Sequence, residues 1–339
     1  MQQRVVSDRA EVLTLGNLPS VLFKGAGQVM FQGSAWCGVL FLVAIFWGSW
    51  LSGRLLVGVG AVVGLAVSTL TGYMLSLRDD DGREGLWGFN GVLVGCAMMT
   101  FLKSTLLTWL LLIFGSAMTV WVREGLNRIM AHWRVNSFTM PFVLTVWLLL
   151  SAARAFGGLP LDGLSTPALP TMVHSPLLHT DFLSLLLYWL RGVSQVFLVD
   201  SAVAGLLMLI GLLLSNGWAA FWAAVGSALS LAIAIIFGGS GHLISNGLYG
   251  FSAVLTAIAL GSVFYRPTLR SALWTILGIV AALFVQAAID QFLRPIGIPA
   301  LTFPFCLTTW LFLLPMFKLD NHEPDHSHWH RSKKYRRGA

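Results

Sequence analysis

Ten stretches of mostly apolar sequence fix what this chain can become. They fall at about residues 34–52, 55–77, 86–102, 105–122, 138–153, 201–214, 217–238, 248–264, 272–289 and 300–317. A helix needs about 20 mostly apolar residues to cross the hydrocarbon of a bilayer. Lipid offers no partner to an unpaired N–H or C=O, so such stretches cross as helices. Only 10% of the 339 residues are charged and 56% are hydrophobic, whereas a soluble chain carries about 25% charged residues. That composition excludes a soluble globular protein, a disordered chain and a nucleic-acid-binding domain. The expected fold is an all-α polytopic membrane protein.

Two further apolar pieces, 19–32 and 183–198, are too short to cross and contain Gly, Ser and Gln. They read as re-entrant half-helices, which are tolerated at membrane depth when buried in protein or lining a polar cavity. With the N-terminus inside, sixteen of the 21 Lys and Arg fall on the cytoplasmic side, and Arg54, Lys103, Arg154, Arg191 and Arg294 fall outside. This is the bias of the positive-inside rule. It places both termini in the cytoplasm and the linker 155–182, which has no Lys or Arg, outside. No apolar h-region follows Met1-Gln2-Gln3-Arg4, so no cleavable signal peptide is expected. Cys37, Cys96 and Cys306 lie singly in apolar stretches and read as small buried hydrophobes.

The chain also repeats itself. Residues 28–38 match 195–205 at five of eleven positions, an offset of 167. Residues 85–95 match 247–257 at six of eleven, an offset of 162, and 139–145 match 302–308 at five of seven, an offset of 163. Three blocks in one order at nearly one offset indicate duplication. The expected organisation is an N-terminal segment 1–18, a first repeat 19–154, the linker 155–182, a second repeat 183–317 and a basic, His-rich tail 318–339. Five spans per repeat is an odd number, so the two repeats are expected in inverted orientation. Such repeats place a working site near the midplane, lined by discontinuous helices.

The matched blocks nominate that site. Pro141 and Pro304 fall early in the last span of each repeat. A proline inside a helix frees the carbonyl four residues back, here those of Ser137 and Ala300, beside the hydroxyls of Thr139 and Thr302. Gln28 and Gln195 sit in the half-helices, where an amide either bonds neighbouring helices or faces a polar path. Phe89 and Phe251 each follow a glycine, and Phe31 is about one helical turn from Gln28. Facing aromatic planes would form a flat slot. Asp200 and Asp290 are the carboxylates nearest to membrane depth, no span interior clearly holds one, and there is no phosphate-binding Gly-x-x-x-x-Gly-Lys motif. These features point to a path for a neutral, planar, polar solute, with no cofactor and no catalytic centre. Urea fits that description.

The blocks Gly-Ala-Gly-Gln-Val-Met-Phe-Gln (25–32), Leu-Trp-Gly-Phe-Asn-Gly-Val-Leu-Val-Gly (86–95), Arg-Gly-Val-Ser-Gln-Val (191–196), Leu-Tyr-Gly-Phe-Ser-Ala-Val-Leu (248–255) and Leu-Thr-Phe-Pro-Phe (301–305) resemble the urea transporter family, of the bacterial type. The resemblance covers about residues 18–317. It implies a homotrimer in the cytoplasmic (inner) membrane, each subunit conducting urea passively through its own slot. The implied filter positions are Gln28, Phe31, Phe89, Leu93 and Thr139, with Gln195, Leu198, Phe251, Leu255 and Thr302 as counterparts. Leu198 stands where the first repeat has Phe31, and Ser252 where it has Asn90. Where the family often has Asn-Pro, this chain has Ser34-Ala35 and Ser201-Ala202.

Three other features carry weaker expectations. His322, His326, His328 and His330 are weak candidates for a metal, with a solvated tail as the simpler reading, and the basic end favours anionic membrane lipid. Asp79-Asp80-Asp81 reads as a solvated loop. The rival functions are a channel for ammonia, a short amide or water, an ion-coupled carrier using Asp200 or Asp290, and a membrane enzyme.

Overall fold

The computed structural model describes residues 17–75, 77, 79–170 and 178–319. The expected N-terminal segment and the His-rich tail therefore lie almost wholly outside the described residues. The first half contains α1 (Leu18–Gln28), α2 (Ala35–Leu51), α3 (Leu56–Met74), the short α4 (Asp79–Arg83), α5 (Phe89–Phe101), α6 (Leu106–Met130) and α7 (Met140–Ala153). The second contains α8 (Phe182–Ser194), α9 (Ala202–Ser215), α10 (Gly217–Ile236), the short α11 (Gly241–Ser245), α12 (Phe251–Ile258), α13 (Leu269–Leu293) and α14 (Phe303–Leu313). A π-helical turn continues α12 to Phe264. Among the described residues there is no strand, only one isolated bridge between Leu102 and Leu161. The chain is an all-α polytopic membrane protein, with an element order that occurs twice.

The duplication extends to backbone detail. Ser34 and Ser201 cap α2 and α9 by accepting from the N–H three residues on, and Thr105 and Thr268 cap α6 and α13 in the same way. Such caps satisfy one of the orphan donors at a helix start. Phe31 and Leu198 both adopt left-handed φ, at +62° and +60°, as do Phe138 and Leu301 at +50° and +52°. Non-glycine residues rarely do so. At Gly85 and Gly247 φ is +77° and +72°, and a Cβ there would overlap the backbone of Gly25 and Gly192 respectively. Equal distortions at homologous positions need equal surroundings.

All ten apolar stretches form helices, but they are not ten full spans. By length and composition, α3, α6, α10 and α13 can each cross a bilayer. In contrast, α5, α7 and α14 have 13, 14 and 11 residues, about 20 Å or less at 1.5 Å per residue. That is short of the ~30 Å of hydrocarbon. The reason lies just before them. Residues 84–88, 136–139, 246–250 and 299–302 are turns or irregular chain rather than helix, so part of each apolar run is spent as non-helical backbone. A 3-10 turn extends α8 to Phe197, and the extended helix meets α9 at a 73° bend across a break of four residues, the geometry of a broken span or of a re-entrant loop.

One sequence expectation fails. Pro141 and Pro304 do not interrupt helices; each lies in the first two positions of α7 or α14. A missing N–H is harmless there because that donor has no helical partner anyway. Nor are the carbonyls of Ser137 and Ala300 freed, since they accept from Met140 N and Phe303 N at 2.9 and 3.2 Å.

Between the halves, α2 packs along α9, with Phe41 on Phe197 at 5.6 Å. The first part of the linker is tied down: Asp162 N donates to Phe101 O at 2.8 Å, Arg54 bridges to Asp162 at 3.0 Å, and Arg154 reaches both Ser165 O and Gly297 O.

Candidate functional site

The two halves meet where α7 and α14 begin. Thr139 and Thr302 are the N-cap residues of these helices, and their hydroxyls lie 2.6 Å apart. Thr139 also contacts Cys306 Sγ at 3.3 Å. Around this pair the contacts are reciprocal. The Trp147 indole on α7 donates to Pro299 O ahead of α14, and the Trp310 indole on α14 donates to Asn136 O ahead of α7, both at 2.9 Å. Each residue of one bond is the repeat counterpart of the matching residue in the other. An interface in which i meets j and j meets i is isologous, the signature of a two-fold relation. The threonine pair joins counterparts directly and so sits at its centre.

Two helix N-termini therefore face one another through Thr139 and Thr302. In α7 the terminal donors are consumed: Met140 N by Ser137 O, Phe142 N by Asn90 Oδ1 at 3.2 Å, and Pro141 has none. The partial positive charge of a helix N-terminus nevertheless persists. The junction thus disfavours a cation while presenting hydroxyl oxygen.

Gln28 and Gln195 occupy equivalent places. Their Nε2 groups donate to Glu84 O and Asn246 O, each at 2.9 Å. With the amide nitrogen engaged, each side chain keeps an oxygen acceptor. Phe31, left-handed at the end of the α1 segment, is met edge-on by Phe138, Phe264 and Phe305, with ring centroids 6.2, 6.2 and 6.0 Å away. Two of these rings come from the second half. The counterparts of Phe31, Phe138 and Phe264 are Leu198, Leu301 and Leu102, so the aromatic cluster has an aliphatic equivalent across the two-fold.

Phe89 and Phe251 are the first residues of α5 and α12, and Leu93 and Leu255 stand one helical turn below them. All four are buried, the leucines completely. Asn90, next to Phe89, ties α5 to the start of α7 through Phe142 N, leaving its buried Nδ2 without a hydrogen-bond partner. In the second half, Ser252 instead donates to Gln286 Oε1 at 2.7 Å, and Gln286 donates to Asp290 at 3.0 Å.

Asp81 corrects a second expectation. It is not in a solvated loop but buried, with Nη1 and Nη2 of Arg123 both 3.1 Å from its Oδ2. Burial follows from a partner: an unpaired carboxylate would not leave water. Arg123 also lies over the Phe89 ring, 6.0 Å from its centroid. Arg123 and Gln286 are thus the residues that sequence reasoning missed, and Asn90 was marked there only by its replacement with Ser252. The offset that pairs Thr139 with Thr302 also pairs Arg123 with Gln286 and was the available signal. Asp200 faces Arg191 at 3.2 Å in the loop between α8 and α9. Among the described residues, no three His, Cys, Asp or Glu converge as metal ligands, and the four tail histidines lie outside them.

Residues 20–316 match the urea transporter family. The chain is 30% identical over 306 residues to urea transporter 1 of Ovis aries and to that of Capra hircus, covering 88% of this chain and 77% of each relative. It is 29% identical over 299 residues to urea transporter 1 of Rattus norvegicus, covering 86% and 76%.

Proposed function

The chain belongs to the urea transporter family, and from that premise we propose that it is a passive urea channel rather than an enzyme or an ion-coupled carrier. The observation that carries this reading is the pair of helix starts joined at Thr139 and Thr302. Two facing N-termini raise the potential along the path, each opposing a cation by about 0.3–1 kcal/mol at an exposed site and up to about 2 where partly buried. The same junction offers oxygen, not N–H, to a solute. Urea has four N–H groups in one plane and no charge, so it gains from acceptors and is untouched by the barrier to ions.

Urea would leave water at Gln28, slide its apolar faces along Phe31, Phe89 and Leu93, and exchange water for the hydroxyls of Thr139 and Thr302. It would leave past Phe251, Leu255 and Leu198 to Gln195. Fixed acceptors offset desolvation without reorganisation, and several weak sites in series permit exit. In this reading the repeats are inverted in the inner membrane, both termini are cytoplasmic, and the protein is a homotrimer with one path per subunit.

Stopped-flow uptake of urea into proteoliposomes tests the proposal. Flux should be proportional to urea concentration over a wide range and unchanged by an imposed pH or sodium gradient. Strict dependence on either gradient would overturn the channel in favour of a carrier.

A further inference from the structure

We propose that Arg123 and Asp81 are positioning residues that fix the ring of Phe89, and that through it they set which planar solutes pass. This rests on the urea-channel reading for its transport consequence, though not for its geometry. Arg123 lies in a membrane-length helix, α6, and is 4% exposed; Asp81 is 8% exposed. An ion pair so buried is a poor device for stability, because desolvating both charges can exceed what their attraction returns. Here the forked contact of both Nη atoms with Asp81 Oδ2 orients the guanidinium, and that guanidinium covers Phe89 at 6.0 Å. A desolvated cation over an aromatic face restrains the ring and draws its π density to that side. The other face, toward the solute, becomes a weaker partner for N–H donors.

The second repeat is built differently. The counterpart of Arg123 is Gln286 and that of Asp81 is Leu243. Gln286 holds Ser252, the neighbour of Phe251, through a 2.7 Å hydrogen bond. One phenylalanine is therefore backed by a cation, whereas beside the other the cation is replaced by Gln286, an uncharged side chain that bonds Ser252 and Asp290, so the two ends of the path discriminate between solutes unequally. The cation-backed ring at Phe89 is the stricter of the two.

The test uses three variants of the full chain in proteoliposomes: Arg123→Lys, which keeps the charge but loses the fork, Asp81→Asn, and the doubly neutral R123Q/D81N. Permeability to urea and to N-methylurea is measured for each, and 4-fluorophenylalanine at position 89 reports the ring by 19F NMR. The expected result is a change of about threefold or more in the urea to N-methylurea ratio, with a shifted or broadened fluorine line. A role confined to stability would lower both permeabilities in proportion and leave the ratio unchanged, which overturns the proposal. An unmoved fluorine line in Arg123→Lys overturns it too, even where the double variant fails to fold. If the unaltered protein carried no urea while the line still moved, the positioning role would stand and the channel reading would fall.

Discussion

The hydroxyl of Thr139 and that of Thr302 lie 2.6 Å apart, each at the start of its own half-length helix and each the counterpart of the other. This contact explains why the chain has two nearly equal halves. Neither threonine closes the junction alone, and the reciprocal bonds from Trp147 and Trp310 hold the two helix starts in register. A duplicated sequence thereby builds one shared element from two copies of a helix that could not cross a membrane by itself.

The threonines are equivalent in sequence but not in surroundings, and valine substitution should expose the difference. Thr302→Val leaves Thr139 with Cys306 Sγ at 3.3 Å, whereas Thr139→Val removes the hydroxyl that pairs with Thr302 inside the protein. An unsatisfied buried hydroxyl costs about 1–3 kcal/mol. Thr139→Val should therefore be the more destabilising, by roughly 1 kcal/mol, read as the lower thermal midpoint in detergent. The double variant, lacking both acceptors, should fold but pass urea about tenfold more slowly, as expected for about 1.4 kcal/mol of lost solute contact. Undiminished flux in the double variant would remove the threonines from the path.

Leu93 and Leu255 are completely buried, one turn below Phe89 and Phe251. Each side of the proposed slot thus has a buried aliphatic wall that a larger side chain would overfill. Leu93→Trp or Leu255→Trp should abolish urea flux at either position alone, because the slots lie in series. Gel filtration should still show the assembled protein. Full flux from a folded Leu93→Trp channel would mean that the path runs elsewhere.

Much of this arrangement was legible in the sequence, because periodic apolar runs and a near-constant offset survive in any duplicated membrane protein. The pairing of Gln28 with Gln195, and of Phe31 with Leu198, needed only that offset. The lengths of the helices were not legible. Hydropathy averaged over 138–153 or 300–317 stays apolar whether the first residues of the run are helical or unwound, so α7 and α14 read as full spans. Left-handed Phe138 and Leu301 carry no composition signal, since a non-glycine residue in that region is imposed by its surroundings. The Asp79–Asp81 run looked solvated because its partner, Arg123, is 42 residues from Asp81 and was assigned to a different loop.

The indole bonds give a direct measure of the two-fold relation. Trp147→Phe and Trp310→Phe each delete one 2.9 Å hydrogen bond to a backbone carbonyl of the opposite half. Each should cost about 1 kcal/mol. If the halves are energetically as well as geometrically equivalent, the two losses should match, and the double variant should show their sum within about 0.5 kcal/mol. A strongly unequal pair would mean that one half alone holds the junction.

The position of Gln28 depends on how closely α1 folds back on α2. A Cβ added at Gly38 would overlap the carbonyl of Phe23, and one added at its counterpart, Gly205, would overlap that of Leu190. Both obstacles are backbone atoms of α1 or α8, the helices that lead to Gln28 and Gln195, so no side-chain rotation relieves them. Gly38→Ala and Gly205→Ala must therefore force α1 or α8 away from its partner, a cost at or above the ~1–3 kcal/mol usual for overpacking. Gly125, in the exposed part of α6, has nothing within 4 Å of its Cβ position. There alanine should instead stabilise, by about 0.5–1 kcal/mol. In detergent the first two variants should lose thermal stability or folded yield, and Gly125→Ala should gain midpoint. Any Gly38→Ala protein that still folds should conduct urea poorly, because Gln28 travels with α1. Normal flux and stability in that variant would show that α1 can retreat without moving the filter, and the close crossing would then have no bearing on conduction.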